Sequence, residues 1–304
     1  MQLKPIHIND FTILQPYFKN QPYRLSVYSL LSIIVWSCQK YLSSYIIHDD
    51  AVVLSNEAVN NPQDRYLVLP VNHSGYFTPE YLHRLAAQLG YPEYWFVPGD
   101  YLTQFESNAI ADRFFITEQP EYEDYIYLTE DLALLKGNRF AKKRNLIHQF
   151  NKSYVDTGKV IVDRLTTDNA GECLDFLTKW CEDHDDCEGP DNESLACEKR
   201  ALTTALNAID ALEGLGILIR IEGVVSAIAI ASRLNAFMGV LNFEKAFSEV
   251  RGLYQFLDNE CAKRLFSDYR YINKESDMGI ADLARSKKSY HPVDKLKSYK
   301  LTLR

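Results

Sequence analysis

The stretch GILIRIEGVVSAIAIASRLNAFMGVLNF, residues 216–243, contains three runs of aliphatic and β-branched residues. The first two runs are separated by Glu222 and Gly223, a pair that predicts a tight β-hairpin. The third run, 236–243, is followed by a helical pattern at about 251–266 and by a further strand-like run. Hairpin strands are antiparallel, and the strand–helix–strand step adds a parallel pair. The stretch therefore predicts a mixed, mostly antiparallel sheet.

The first half of the chain repeats this order of elements. Asp49 and Asp50 separate two β-rich runs, and a third strand-like run covers 65–72. A helix is predicted to begin after Thr78 and to end at Gly90, because these residue types favour the two ends of a helix. The predicted fold class is therefore α/β (α+β), with two similar units that each contain a mixed, mostly antiparallel sheet flanked by helices.

The predicted division between the units lies in the polar, glycine-containing stretch 153–160. It assigns residues 1–154 to an N-terminal unit and residues 155–304 to a C-terminal unit that contains the active cleft. A chain of 304 residues with 46% hydrophobic residues is long enough for two packed units.

Composition and charge restrict the class of protein. A net charge of -8 disfavours a general nucleic-acid coat protein, so an anionic partner has to meet a local basic patch. The first residues do not form a signal peptide, and the apolar stretch 25–38 is too short to span a bilayer. We therefore expect no integral membrane segment and a cytoplasmic location. The spacing of Cys181, His184 and Cys187 does not match the usual zinc modules, so no metal is expected.

Two stretches are specific enough to indicate a family: YIYLTEDLALLKGNRFAKKRNLIHQF at 125–150 and NKESDMGIADLARSKKSYHP at 273–292. Both resemble the signatures of an uncharacterised cytoplasmic family grouped with the C-terminal domain of phosphatidylglycerol lysyltransferase. The order of elements resembles the GNAT acyltransferase fold, and its duplication resembles the tandem arrangement of the Fem peptidyltransferases. The resemblance covers nearly the whole chain and implies two tandem GNAT-like units.

This resemblance implies an acyltransferase that moves an aminoacyl group from aminoacyl-tRNA to an amine or hydroxyl acceptor. The acceptor would be a small molecule, a peptide or a lipid, and the tRNA would be held by its acceptor end. Two alternatives remain open: an acyl-CoA-dependent N-acetyltransferase, and a non-catalytic module that binds an anion or a partner. No tightly bound cofactor is expected, because aminoacyl-tRNA or acyl-CoA would be the donor substrate. The oligomeric state is not predicted.

A strongly basic segment follows the predicted strand at 124–128. Residues 136–152 include six Lys or Arg residues and no Asp or Glu. If the segment is one helix, Lys136, Arg139 and Lys143 share a face. The residues predicted here to bind the donor are Lys136, Arg139, Lys142, Lys143 and Arg144. The alternative is a solvated helix that pairs with acidic residues elsewhere in the chain.

The helix predicted from about residue 251 begins with Arg251 and Gly252, which are candidate donor-binding residues. The GNAT resemblance implies that the pyrophosphate of acyl-CoA binds at this strand-to-helix turn, where free N–H groups favour an anion. Tyr254 stands where the family pattern has a small residue, which crowds such a cradle. The alternative is a helix that merely starts here. We expect the basic helix and this turn to converge on one crevice that receives a phosphate-bearing donor.

The stretch 273–292 contains the candidate catalytic residues Asn273, Glu275 and Asp277. They alternate along the end of a predicted strand, so their side chains are predicted to point the same way. Glu275 or Asp277 would orient the incoming amine and accept its proton. The alternative for Asp277 is a cap at the start of the following helix.

Further groups are predicted to line the same cleft. From the helical stretch and the residues after it these are Lys287, Lys288 and Tyr290. Backbone N–H groups near residues 241–243 would stabilise the oxyanion that forms during acyl transfer.

Overall fold

The computed structural model describes residues 2–37, 41–182 and 193–304. Its strands are β1 (Lys4–Pro5), β2 (Tyr41–His48), β3 (Ala51–Ala58), β4 (Asn61–Leu67), β5 (Glu93–Pro98), β6 (Phe114–Glu118), β7 (Asp124–Leu128), β8 (Val160–Arg164), β9 (Leu215–Ile221), β10 (Val224–Arg233), β11 (Met238–Ala246), β12 (Tyr271–Ser276), β13 (Asp294–Leu296) and β14 (Ser298–Leu303). Its α-helices are α1 (Phe11–Phe18), α2 (Leu30–Val35), α3 (Pro79–Leu89), α4 (Gly99–Leu102), α5 (Ser107–Ala111), α6 (Thr129–Leu134), α7 (Ala141–Phe150), α8 (Ala170–Glu182), α9 (Glu193–Asn207), α10 (Leu253–Arg264) and α11 (Ala281–Lys288). His184 and Cys187, which entered the metal prediction, lie outside the described residues.

Tight turns form where the sequence predicts the two hairpins. β2 and β3 meet at Asp49 and Asp50, whose φ angles are 50° and 57°. β9 and β10 meet at Glu222 and Gly223, whose φ angles are 51° and 86°. Two consecutive residues with positive φ match the right-handed twist of the flanking strands. Both predicted hairpins are therefore confirmed.

The strands form two seven-stranded sheets. The first sheet has the order β1-β2-β3-β4-β5-β14-β6, and the second has the order β13-β7-β12-β11-β10-β9-β8. Within these sheets, β4 with β5 and β11 with β12 are the parallel pairs, and the other pairs are antiparallel. The fold is therefore a mixed α/β arrangement with two mostly antiparallel sheets flanked by helices, as the sequence predicts.

Two strands lie in the sheet that the other half of the chain builds. β7 precedes residue 154 but pairs with β12 and β13. β14 follows the whole second sheet along the chain but pairs with β5 and β6 of the first sheet. The predicted boundary at residue 154 therefore does not separate the two sheets, and the existence of separable units there stays a prediction.

Apolar residues cover both faces of the second sheet. On one face, Ile228 and Ile230 belong to a buried cluster that also contains Leu31 from the N-terminal segment. On the other face, Ala227 and Ala229 belong to a second cluster that includes residues of α6, α7 and α10. Burial on both faces explains why β10 is apolar along most of its length instead of alternating.

The basic segment does not form one helix, contrary to the prediction. Leu135 and Gly137 have φ angles of 47° and 86° and interrupt the chain after α6. α7 begins only at Ala141. Lys136 therefore lies in the break, and Arg139 lies in a short 3-10 helix, Asn138–Phe140, that precedes α7.

Candidate active site

The second sheet opens between its two parallel strands. β11 pairs with β12 only through residues 238–240 and 271–273, where the ladder stops. Just beyond this point Asn242 forms a bulge in β11, because Leu241 and Phe243 face consecutive residues of β10. The remaining parts of β11 and β12 are not paired with each other and form the two walls of a gap. This gap is the candidate active site.

A buried ion cluster lies on one side of the gap. Lys274 Nζ lies 3.1 Å from the Glu244 carboxylate and 2.9 Å from that of Asp258, and the most exposed of the three side chains is 18% exposed. Burial raises the pKa of Glu244. Burial also opposes the charge of Lys274, but Asp258 and Glu244 raise the pKa of this lysine above its usual range. The cluster therefore joins β11, β12 and α10 beside the gap.

The carboxyl group of Glu275 has no hydrogen bond or ion pair within the part of the chain that the structure describes. Its φ angle is 56°, and the β7–β12 ladder is interrupted at this position. Burial raises the pKa of Glu275 to about 8; Lys287 opposes the rise, whereas Asp124 and Glu198 add to it. A partly buried carboxyl group that titrates near neutral pH has the property required of a general base.

Asn273 is buried, and both its amide nitrogen and its amide oxygen are hydrogen-bonded. Its Nδ2 donates to the carbonyl oxygen of Arg24 at 2.9 Å and to Asp124 Oδ2 at 2.7 Å. Its Oδ1 accepts from the N–H of Glu275 at 2.7 Å. The N–H of Ser26 also donates to Asp124, at 2.5 Å. A chain of hydrogen bonds therefore runs from the N-terminal half of the protein to the backbone of Glu275.

Asp277 belongs to a turn, and its side chain is already bonded. The Tyr125 hydroxyl donates to Asp277 Oδ2 at 2.6 Å, and the N–H of Gly279 donates to Oδ1 at 3.0 Å. Burial opposes ionisation, but these bonds lower the pKa of Asp277. The predicted common direction of the three candidate catalytic side chains does not hold, because the irregular backbone at Glu275 breaks the alternation.

Lys287 and Lys288 differ in position although they are neighbours on α11. The ammonium of Lys287 donates to the carbonyl oxygens of Lys274, Glu275 and Ser276, at 2.6, 3.2 and 2.6 Å. Burial lowers the pKa of Lys287, against the attraction of the Glu275 carboxylate. Lys288 is exposed. Lys287 therefore contacts the wall of the gap, and Lys288 faces solvent.

Tyr290 connects the ion cluster with the basic segment. Two ammonium groups lie close to its buried ring, with the ring centroid 3.6 Å from Lys143 Nζ and 5.1 Å from Lys274 Nζ. Burial raises the pKa of the Tyr290 hydroxyl, and the nearby carboxylates of Asp258 and Glu244 add to the rise. Burial lowers the pKa of Lys143 to about 8. Lys143 is therefore the member of the basic segment that packs against the cluster.

The other predicted donor-binding cations of the basic segment lie at its surface. Two pair with acidic residues of α6, namely Lys136 with Glu130 at 3.5 Å and Arg139 with Asp131 at 2.7 Å. Arg144 donates to two carbonyl oxygens in the break between α6 and α7, those of Leu135 and Gly137. Lys142 is exposed. Lys136 and Arg139 therefore match the alternative prediction, in which the cations of the basic segment are solvated and pair with acidic residues.

α7 covers the start of α10. Gly252 has a φ angle of 86°, and a Cβ atom there would lie 2.3 Å from the carbonyl oxygen of Leu146 and 3.1 Å from Phe150 Cβ. The two helices therefore meet in direct contact at the turn where the resemblance implies a pyrophosphate cradle. Arg251 is exposed beside this contact. The basic segment and this helix do converge, but by direct packing instead of around a crevice.

The sequence alone does not predict the ion cluster of Glu244, Asp258 and Lys274. A partial signal exists, because Lys274 follows Asn273 and alternation places it on the opposite face of β12. Glu244 likewise interrupts an apolar strand with a charge. These residues come into contact only because β11 and β12 stop pairing beside them. The local sequence around Glu244 or Lys274 does not predict where that pairing stops.

The fold is GNAT-like, that is, an acyltransferase-like fold. A tandem GNAT protein from the clavulanic acid biosynthesis pathway aligns with a TM-score of 0.50 and 10% identity over 99% of this chain and 98% of that chain. The C-terminal domain of a putative lysylphosphatidylglycerol synthetase from Agrobacterium fabrum aligns with a TM-score of 0.64 and 12% identity over 97% of this chain and 91% of that chain. At these identities the likeness concerns the fold alone.

The sequence defines the family. Residues 26–302 match the family described as phosphatidylglycerol lysyltransferase, C-terminal, and the chain belongs to that family. A conserved protein of unknown function from Bacteroides thetaiotaomicron VPI-5482 is 29% identical, with a TM-score of 0.89 and 100% of both chains covered. The match with a curated relative, the uncharacterised protein MYCGA3080 of Mycoplasmoides gallisepticum, spans about half of that relative's length. It is 27% identical over 178 residues, which are 58% of this chain and 54% of the relative.

No helix within residues 2–37, 41–182 and 193–304 is both long enough and apolar enough to cross a membrane. The apolar stretch near the N-terminus forms α2, which has 6 residues. A membrane-spanning helix needs about 20.

Proposed function

We propose that the protein is an acyltransferase that transfers an aminoacyl group from aminoacyl-tRNA to an amine or hydroxyl acceptor. The observation that carries this proposal is the carboxyl group of Glu275, which lies at the gap and has no hydrogen-bond partner among the described residues. Its strained backbone and its raised pKa are typical of a group kept for chemistry instead of stability. The acyltransferase-like fold and the family support the same reading.

In the proposed reaction the acceptor nitrogen or oxygen attacks the carbonyl carbon of the aminoacyl ester. Glu275 takes the proton that the attacking group loses, and the carbonyl oxygen becomes an oxyanion. Backbone N–H groups near the bulge at Asn242 are proposed to donate to this oxyanion. A new C–N or C–O bond forms, the ester bond to the terminal ribose breaks, and the ribose oxygen receives the proton from Glu275.

The packing at Gly252 favours aminoacyl-tRNA over acyl-CoA as the donor. A CoA pyrophosphate bound in the GNAT manner would lie against the first turn of α10. There the carbonyl oxygen of Leu146 comes so close that a methyl group on Gly252 would overlap it. An ester at the 3′ end of a tRNA does not need this cradle, so the packing is compatible with the donor that the family resemblance implies.

The donor's phosphates are proposed to meet cations that remain free at the surface. Of the cations predicted to bind the donor, Lys142, Arg251 and Lys288 are exposed and have neither an ion pair nor a side-chain hydrogen bond among the described residues. Lys143 lies deeper, against the ring of Tyr290. A cytoplasmic location, where charged tRNA is found, is part of the proposal.

The test uses the full chain and total tRNA charged with radiolabelled amino acids. Transfer is measured as label that leaves the tRNA and appears in one of three acceptor classes: free amines, peptides, or vesicles that contain phosphatidylglycerol. We expect binding of charged tRNA to weaken steeply as the salt concentration rises. We expect Glu275→Gln to lose turnover by roughly 100-fold or more while it keeps tRNA binding.

The matched control is Glu222→Gln, which changes an exposed glutamate at the β9–β10 turn. Melting curves with acetyl-CoA and CoA run in parallel. A wild-type protein that neither binds charged tRNA nor transfers label would overturn the proposal, and stabilisation by CoA would then favour the N-acetyltransferase. If tRNA binds but no acceptor class receives label, the non-catalytic alternative is favoured.

A further inference from the structure

The end of β12 is held by side chains on both sides of Glu275. The ammonium of Lys287 donates to the carbonyl oxygens of Lys274, Glu275 and Ser276, at 2.6, 3.2 and 2.6 Å. On the amide side, Asn273 Oδ1 accepts from the N–H of Glu275 at 2.7 Å. The N–H and the C=O of Glu275 are therefore both bonded to side chains.

This bonding accounts for the unusual backbone of Glu275. A φ angle of 56° strains the backbone of a residue with a side chain and persists only where the surroundings enforce it. Glycine adopts this conformation freely, but glycine has no carboxyl group. The lysine at position 287 supplies three charge-assisted hydrogen bonds, which are stronger than bonds between neutral groups.

We infer that Lys287 is a positioning residue, whose ammonium fixes the end of β12 so that the Glu275 carboxyl group is presented to the gap. An ammonium has three donor hydrogens, and each has a backbone carbonyl as its acceptor here. Lys287 therefore has no donor left for a substrate phosphate, which distinguishes it from the exposed Lys288. The inference rests on the proposed function of Glu275 as the base.

Hydrogen–deuterium exchange of the full chain tests this role without any substrate. In Lys287→Met, peptides covering residues 271–280 are expected to exchange roughly tenfold faster than in the wild type. A peptide from β10 serves as the internal reference, because a general loss of stability would also speed exchange there. Lys287→Gln, which keeps an amide donor, is expected to show an intermediate rate and serves as the second variant if Lys287→Met fails to fold.

Arg285→Met is the matched control on the same helix. It removes an exposed cation that pairs with Asp282 at 3.1 Å on the surface. Exchange of residues 271–280 is expected to stay unchanged in this variant. Unchanged exchange in Lys287→Met as well would overturn the inference.

Kinetics separate positioning from substrate binding. Lys287→Met is expected to lower kcat roughly tenfold or more and to leave the KM for charged tRNA within about twofold. A raised KM with kcat retained would overturn the inference and assign Lys287 to donor binding. If the wild type shows no transfer at all, the proposed function fails, whereas the exchange rates still decide whether Lys287 holds β12.

Discussion

The carboxyl group of Glu275 should set the pH dependence of transfer. Burial raises its pKa to about 8, Lys287 opposes this rise, and Asp124 and Glu198 add to it. A base acts only after it has lost its proton, so turnover should increase as the pH rises from about 6 to about 8. At higher pH the increase should stop, because burial lowers the pKa of Lys287 and the ammonium that holds β12 is then lost. Steady-state rates with saturating charged tRNA, measured over this range, check the prediction.

The Glu275→Gln variant measures the background rate at each pH. This is needed because aminoacyl esters hydrolyse faster in alkali even without an enzyme. The difference in rate between the wild type and Glu275→Gln should follow the titration of Glu275. The rate of the variant alone should not. A difference that is flat with pH, or that falls as pH rises, would show that Glu275 does not act as the base.

Lys274 should be important for stability because it separates two buried carboxylates. Lys274→Met leaves Glu244 and Asp258 without their cation, and we expect a loss of roughly 3–5 kcal/mol in the free energy of unfolding. Burial raises the pKa of Glu244, and without the opposing charge of Lys274 this carboxyl group holds its proton still more tightly in the folded protein than in the unfolded chain. The loss should therefore be smaller at low pH and grow as the pH rises. Urea unfolding at two pH values measures both effects.

The control for this variant is Lys297→Met. Lys297 pairs with Glu118 at 2.9 Å, but the two side chains are 54% and 44% exposed, so the change should cost no more than about 1 kcal/mol. Adding Glu244→Gln to Lys274→Met should recover part of the loss. Equal losses in Lys274→Met and Lys297→Met would argue against the buried cluster.

At the scale of elements, the contact between α7 and α10 depends on Gly252. Gly252→Ala should destabilise the protein by roughly 2 kcal/mol or more, because it adds both backbone strain and overlap with the Leu146 carbonyl oxygen. Gly223→Ala is a closely matched control, since Gly223 has the same φ of 86° but nothing near its Cβ position. The difference between the two urea midpoints measures the overlap alone. Equal midpoints would mean that the helices do not pack this closely.

The sequence predicts elements well where local residues decide them. α3 begins after Thr78, whose hydroxyl accepts from the Tyr81 N–H at 3.2 Å, and ends at Gly90 with a φ of 76°. The basic segment is different. Its charge spacing suits a helix, but Leu135 adopts a left-handed conformation while its side chain is buried and Arg144 bonds its carbonyl oxygen. Such a break depends on tertiary contacts, and local propensity does not report them.

At the scale of the whole molecule, the candidate site is predictable only in part. The family-like stretch 273–292 does contain Glu275, and this residue does lie at the gap. The hydrogen-bond chain that reaches the Glu275 backbone joins distant parts of the sequence, because Asn273 of β12 bonds to Asp124 of β7 and to Arg24 near the N-terminus. The pairing of β7 with β12 is not specified by any local pattern, so the hydrogen-bond chain could not be predicted. The ion cluster could not be predicted either, because it depends on how β11, β12 and α10 come together.

The exchange of β7 and β14 predicts that fragments 1–154 and 155–304 do not fold alone. The first lacks β14, which lies between β5 and β6, and the second lacks β7, which lies between β13 and β12. Each sheet would have unpaired strand edges in its interior. We expect neither fragment to unfold cooperatively in urea and a mixture of the two to regain a transition, as measured by circular dichroism.

A fragment of residues 1–154 with residues 297–304 attached through a flexible linker is the control. It supplies β14 to the first sheet and should recover part of the cooperative transition that the plain fragment lacks. Cooperative unfolding of the plain fragment would contradict the prediction and would support an independent unit that ends at residue 154.

The position of β14 also has a consequence for synthesis on the ribosome. β5 and β6 have no strand between them until β14 emerges, and β14 emerges only after every strand of the second sheet. The facing edges of β5 and β6 in the nascent N-terminal half therefore stay unpaired while the rest of the polypeptide is translated. Slow translation or early termination would leave these strand edges exposed. We therefore expect the incomplete chain to bind chaperones and to be prone to misassembly.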